Sequence, residues 1–269
     1  MAIDVRMIGL LRFSVLTPTY YSERFDTLEK TAAHIFSDAR MHLRFRIFET
    51  LCLPSLLRQT DMGYDCVILT AEAMPKPHLD RLNDLVALEP NLHLRPVGTD
   101  KHYQLLKQGY NSIDIGAASH RILFRLDDDD ALDVNYVKRT KHLAKGMLRM
   151  QDKKRPFIIA HNRGFYVRFQ QDGPNEVFDA CERAPLSAGT ALVAPPDYPR
   201  NPYRYNHRAL AQHYTTLSDI SAPAFIRTIH GDNKSSPTQM GLTHKKKPDR
   251  IAKDLMTHFQ VGLDELQAL

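Results

Sequence analysis

Short apolar runs alternate with stretches of helical spacing through the first half of the chain. Leu11 to Leu16 reads as a first strand, stopped where Thr17-Pro18-Thr19 removes a ladder donor and turns the chain outward. From Arg40 the apolar positions Leu43, Ile47 and Leu51 recur at helical spacing, with Arg44 and Arg46 on the opposite face and Pro54 as an interruption. Asp65 to Thr70 predicts a second strand whose polar end, Ala71-Glu72, emerges on the same sheet edge as Thr17. Leu79, Leu82 and Val86 mark a helix opened by Pro77 and closed by Pro90. Leu92 to Val97 is a weaker third strand. Tyr103 to Ala118 is a mixed helical stretch, and Ile122 to Leu126 is a fourth strand. This order predicts an α/β protein with a mostly parallel central sheet and helices on both faces.

The second half is less regular. A basic helix is expected from Val134 to Met150, and strands of a smaller mixed sheet at Phe157–Ala160, Gly164–Phe169 and Thr190–Ala194. Pro195 to Arg204 reads as a surface loop. A last strand, Ala224 to Ile229, ends in His230-Gly231-Asp232-Asn233. Beyond Gly241 a basic linker leads to a C-terminal helix with Ile251, Leu255, Met256 and Phe259 on one face. The expected organisation is therefore a main domain over 1–240 and an extension over 241–269.

The chemistry concentrates where the fourth strand runs into Asp127-Asp128-Asp129-Asp130. Adjacent carboxylates repel one another, so solvent exposure or a divalent cation is expected there. Ligands in open α/β sheets bind beyond the carboxyl ends of strands, which is where this run lies. If the final strand converges on it, His230 supplies an imidazole beside Asp129. Such a mixed shell suits Mn²⁺ better than Ca²⁺, and Mg²⁺ when phosphates complete the octahedron. No G-x-G-x-x-G or Walker pattern occurs, which disfavours a Rossmann dinucleotide site and a P-loop.

Composition narrows this further. The net charge of +5 favours anionic ligands but is no nucleic-acid footprint at 269 residues. Cys52, Cys66 and Cys181 share no metal or redox spacing. With no membrane span or signal peptide legible, a reduced cytoplasmic protein is expected.

Taken in order, Ser14 to Tyr20, Leu53 to Thr60, the strand ending at Asp127–Asp130 and the strand ending at His230 resemble nucleotide-sugar glycosyltransferases of the GT-A fold. Arg12-Phe13-Ser14, Leu53-Pro54-Ser55-Leu56 with Gln59-Thr60-Asp61, and Arg125 to Asp130 look like the rhamnosyltransferase family in particular. The likeness covers roughly residues 8 to 235. It implies metal-dependent transfer of a sugar, such as rhamnose, from a nucleoside diphosphate donor to a glycan or lipid-linked acceptor. Asp129 and His230 would hold Mn²⁺ or Mg²⁺, and Asp127 would face the ribose or a metal-bound water. Thr17, Pro18, Thr19 and Glu72 match the nucleobase and ribose side, and Asn111, in the segment from Gln108, helps cradle the nucleotide. Asp128 is grouped with the donor side, although alternation along an extended strand turns it away. The base for the acceptor hydroxyl is assigned to Asp219, with Asp179, Glu182 and His207 behind it.

Two other classes use similar residues. Metal-dependent nucleotidyl transfer or phosphodiester cleavage would need more carboxylates for a second metal, and a degenerate fold would bind glycans without catalysis. For the C-terminal helix the alternatives are docking on the main domain or a second subunit, or peripheral contact with an anionic inner membrane.

Overall fold

The computed structural model describes residues 3–19, 24–233 and 245–269. Tyr20 and the 240/241 boundary with the first part of the basic linker lie outside the described residues. The strands are β1 (Val5–Arg12), β2 (Tyr64–Ala71), β3 (Leu92–Val97), β4 (His120–Asp127), β5 (Asp130–Leu132), β6 (Phe157–His161), β7 (Arg163–Arg168), β8 (Glu176–Cys181), β9 (Ala191–Ala194), β10 (Thr215–Asp219) and β11 (Phe225–Ile229). They form a seven-stranded sheet in the order β10-β6-β9-β4-β1-β2-β3 and a four-stranded sheet in the order β5-β11-β7-β8. Only β9 runs antiparallel to its two neighbours in the large sheet, so that sheet is mostly parallel, as expected.

The helices are α1 (Leu28–Ile35), α2 (Asp38–Ile47), α3 (Leu53–Leu57), α4 (Lys76–Val86), α5 (His102–Asn111), α6 (Tyr136–Met150), α7 (Pro248–Phe259) and α8 (Leu263–Ala268). Alternation sorts the central strands between two faces. Met7, Leu11, Ile68, Ile122 and Phe124 pack with Phe45 of α2 and Val137 of α6 on one face. Ile8, Leu10, Val67, Leu69 and Leu123 pack with Leu105 and Leu106 of α5 on the other. Strands buried on both faces read as continuous apolar runs, which is why β2 and β4 were legible.

Several expected boundaries move. The first strand begins at Val5 and ends at Arg12, since Phe13, Val15 and Leu16 are buried in the loop that follows rather than in the ladder. Pro54 does not interrupt the helical path. A π-helical turn, Phe48–Cys52, carries α2 into α3, where the proline sits in the first turn and needs no donor. β6 and β9 belong to the large sheet, not to the smaller one, while β8, β10 and β5 had no clear sequence signal.

The C-terminal helix settles its own partner. Ile251, Leu255 and Phe259 of α7 share a core with Phe165 and Val167 of β7 and Ile226 of β11. The apolar face proposed for a membrane or a second subunit is thus taken up within the chain; of that face only Met256, 55% exposed, stays out. No helix among the described residues is long and apolar enough to cross a membrane.

One packing contact gives a sharp test. Gly9 of β1 lies beside Phe124 of β4, and a Cβ there would stand 2.2 Å from the ring tip. Tyr136 closes the other side of that ring, with centroids 5.3 Å apart. Gly9→Ala is expected to cost about 1–3 kcal/mol by overpacking, read as a lower Tm in thermal denaturation.

Candidate active site

The acidic run lies at the place where the chain changes sheets. β4 ends at Asp127, Asp128 and Asp129 form a turn, and Asp130 opens β5 in the small sheet. β5 pairs antiparallel with β11, Arg227 opposite Asp130, so that His230, just past β11, comes to Asp129. The Oδ2 of Asp129 is 3.1 Å from the Nε2 of His230. Asn233 Nδ2 donates to the same oxygen at 3.0 Å, and the His230 N–H donates to the Asn233 side chain at 2.5 Å, which pins the turn.

Solvent and a cation were the two solutions expected for these carboxylates. The structure uses a third, guanidinium groups. Arg12, in register with Asp127 across the β1–β4 ladder, donates from Nε at 3.1 Å. Arg40 and Arg44, one helical turn apart on α2, point into the same region. Arg44 donates from Nε to Asp128 at 3.0 Å and from Nη1 to Asp129 at 2.8 Å. The Nε of Arg40 stands 2.8 Å from Asp232, and its Nη1 donates to Ser14 Oγ at 2.9 Å. Ser14 itself has a left-handed backbone, φ 51°, where the chain leaves β1.

One expectation is corrected here, and Arg44, which the helical spacing placed only opposite the apolar stripe, proves buried and central. Asp128 does not point away, because residues 128 and 129 form a turn and strand alternation no longer applies. It is 1% exposed and lines the cleft on Arg44.

The cleft has a volume of about 500 Å³. Six arginines and four aspartates line it, which leaves a positive surplus. Tyr203 forms part of the wall, with the Arg125 guanidinium 4.1 Å from its ring centroid. Burial works against ionisation of Asp127, but the adjacent Arg12 outweighs it and holds the pKa at about 2. At Asp129 burial is likewise outweighed, by Arg44 and then His230, and the carboxyl stays well below its ordinary range. His207, half-buried in the cleft wall, is held down to about 3 by burial and then by Arg125 and Arg227. Its folded value lies below the unfolded value of about 6.5, so below that pH the unfolded chain binds the extra proton. Stability is therefore expected to fall as pH drops from about 6.5 toward 3, and His207→Gln to flatten that slope in Tm measured against pH.

The other expected site residues are placed as follows. Thr17 is buried and its Oγ1 accepts from the Thr19 N–H at 3.2 Å, while Thr19 Oγ1 accepts from the His102 N–H at 3.0 Å. Pro18 and Thr19 are exposed, as is Glu72 just beyond β2; all lie on the expected sheet edge but outside the cleft lining. Asn111 does not join the cleft; it lines a second pocket beside α5. Asp219 is also elsewhere, at the end of β10, held by His161 Nδ1 at 3.1 Å and Arg139 Nε at 3.2 Å. Asp179 accepts from the Lys245 and Lys246 N–H groups, and Glu182 from the Tyr166 hydroxyl. Sequence reasoning passed over the arginines; Arg40 and Arg44 carried a signal, since they recur at helical spacing beside the buried Met41 and Phe45.

Asp129 and His230 fit a divalent ion in donor chemistry and spacing, since neighbouring ligands of an octahedral ion with bonds of about 2.1 Å stand about 3 Å apart. In this structure Arg44 supplies the positive charge on that oxygen. Among the described residues no third His, Cys, Asp or Glu joins the pair as a ligand group.

The chain's family is one of glycosyl-transferring proteins. The chain belongs to the family described as "Putative rhamnosyl transferase", whose model matches residues 6–242. No curated protein matches the sequence. Among solved structures it is similar to Staphylococcus aureus TarS 1-349 in complex with UDP, at 11% identity and a TM-score of 0.42, over 83% of this chain and 60% of that one. For TarS 1-349 with UDP-GlcNAc the values are 12% and 0.41, over 94% and 65%. For a "Putative Glucose-1-Phosphate Thymidylyltransferase from Bacillus anthracis" they are 11% and 0.38, over 81% and 88%. The chain thus spans less than two thirds of the TarS fragment.

Proposed function

We propose that the cleft binds a nucleoside diphosphate sugar and passes its glycosyl group to a hydroxyl of a glycan or lipid-linked acceptor. The observation that carries this reading is the carboxylate turn at Asp127–Asp129, set at the carboxyl edge of the parallel sheet within a ring of arginines. That surplus of guanidinium charge suits a diphosphate, and Arg12, Arg125 and Arg227 are placed to hold its oxygens. The family description points to rhamnose as the sugar. Thr17, Pro18, Thr19 and Glu72 occupy the adjoining edge, where a nucleobase and ribose would extend.

Mn²⁺ or Mg²⁺ held by Asp129 and His230 would neutralise the charge that develops on the diphosphate as its bond to the sugar breaks. The residues do the rest. Arg44 and Asn233 hold the Asp129 carboxylate in place. The acceptor oxygen bonds to the sugar carbon as the diphosphate leaves, and its proton must go to a base inside the cleft. His207 is the group suited to take it, in place of Asp219: it is neutral at ordinary pH, whereas Asp127 and Asp129 are clamped by guanidinium groups. A diphosphate bound beside Arg125 and Arg227 would offset the field that depresses His207 and make it a stronger base. His207→Gln is expected to lower kcat by at least about a hundredfold while donor Kd stays within about twofold.

The test of the whole reading is a thermal-shift series with UDP-, GDP- and dTDP-sugars, with and without Mn²⁺, followed by assay of released nucleoside diphosphate. One donor should raise Tm by several degrees at saturation and turn over with acceptor. Stabilisation by none, and release from none, would overturn it.

A further inference from the structure

The positive charge of the chain is concentrated on one helix and the turn after it. Residues 136–155 carry eight Lys and Arg against a single Asp, a surplus larger than the +5 of the whole chain, so the remainder is net acidic. Spacing sets where these residues point. Lys138, His142, Lys145 and Arg149 recur every three or four positions and form one exposed stripe along α6, about 16 Å long. The opposite face carries Tyr136, Val137, Ala144 and Leu148 into the core under the large sheet. Lys153 and Lys154, also exposed, extend the charge past the end of the helix.

The carboxylates nearest to the stripe are engaged elsewhere. Asp61 accepts from Lys141 at 2.9 Å, Asp133 from Arg139 at 2.6 Å, and Asp152 stands 3.8 Å from Arg155. Among the described residues no carboxylate makes an ion pair with Lys138, Lys145, Arg149, Lys153 or Lys154. A row of like charges left to solvent favours a surface of the opposite sign. Two apolar side chains stand beside the row. Met150, 82% exposed, ends the helix next to Arg149, and Met62, 43% exposed, lies between Asp61 and Gly63, both of which accept from Lys141. Methionines held out in water beside cations suit a partner with an apolar layer beneath its charge, which a bilayer has and a nucleic acid lacks. No aromatic side chain is exposed on α6, so bases would find nothing to stack on.

We infer that the outer face of α6 is a docking surface for an anionic lipid bilayer. The stripe and the Lys153-Lys154 pair meet headgroup phosphates, and Met150 and Met62 enter the interfacial layer. This surface is distinct from the C-terminal helix, whose apolar face is covered within the chain. No residue of α6 lines the cleft, so a membrane lying on the stripe leaves the cleft free, and the inference does not depend on the reaction performed there.

The test is sedimentation of the full chain with vesicles of phosphatidylcholine alone, or of phosphatidylcholine with about one third phosphatidylglycerol. The chain should bind the anionic vesicles and not the neutral ones, and affinity should fall at least about tenfold between about 0.1 M and about 0.5 M salt. Lys145→Glu with Arg149→Glu reverses two exposed charges and should weaken binding at least about tenfold, since each basic residue at the surface contributes about fivefold. Met150→Ser should weaken it about threefold or more. Lys101→Glu with Lys107→Glu makes the same change of net charge at exposed positions of α5, across the sheet from α6, and should stay within about twofold of wild type. Equal losses in the two double variants would reduce the effect to net charge and overturn the surface, as would equal binding to both kinds of vesicle or to neither. A short DNA duplex that strips the chain from the vesicles at equal phosphate concentration would give the stripe to nucleic acid instead and overturn the lipid assignment.

Discussion

Replacing Asp129 by asparagine is expected to reduce turnover of the nucleotide-sugar donor by at least about a hundredfold, equivalent to roughly 2.7 kcal/mol of barrier. The change keeps the size of the side chain and its ability to accept from Asn233, so the pinned turn at His230 should survive. What it removes is the charge on the oxygen where Arg44, His230 and Asn233 converge. A divalent cation bound there depends on that charge, and so does the compensation of Arg44 in its absence. The measurement is steady-state release of nucleoside diphosphate, with circular dichroism to verify the fold. Turnover within a fewfold of wild type would remove Asp129 from the chemistry and, with it, the proposed metal role.

Arg44→Met is expected to act on stability first. Its guanidinium is the shared partner of Asp128 and Asp129, both at most 5% exposed, and it lies within 3.9 Å of Asp232. Methionine fills much of the volume of the side chain but leaves two buried carboxylates without their cation. Breaking a buried pair in this way costs about 3–5 kcal/mol. For a chain of this length that is a fall in Tm on the order of 10 °C. Adding Asp128→Asn to Arg44→Met should recover part of the loss, because it removes one of the stranded charges; the double-mutant cycle measures how much of the effect is this pair. Equal Tm values for Arg44→Met and wild type would mean that the carboxylates have other compensation.

These two residues show where sequence reading succeeded and stopped. Asp129 was found because an apolar strand ended in charge, and a strand end is recognisable locally. His230 was found by the same rule. Their convergence was an expectation that the small sheet realised, through the Arg227 and Asp130 register. Arg44 was placed only on the face opposite the Leu43 and Ile47 stripe, and the spacing gave it no role. In the fold α2 is covered on more than one side, and what lies opposite that stripe is the acidic turn. Asp219 was chosen as a nearby carboxylate in sequence order. The pairing of β10 with β6 instead delivers it to His161 and Arg139, away from the cleft.

The sequence by itself determined the α/β class, the order of β1 to β4, the acidic turn on a ligand-side edge and the family, because each depends on hydrophobic period, turn chemistry or an ordered set of local motifs. Only the tertiary structure decided how the aspartates are compensated, since Arg44 and Asp128 are 84 residues apart and meet through packing that no local pattern encodes. It also decided that β6 and β9 join the large sheet, that the C-terminal helix covers the small one, and that Asn111 faces a pocket of its own. In each case the deciding term is a long-range contact whose partner becomes visible only when both faces of an element have been filled.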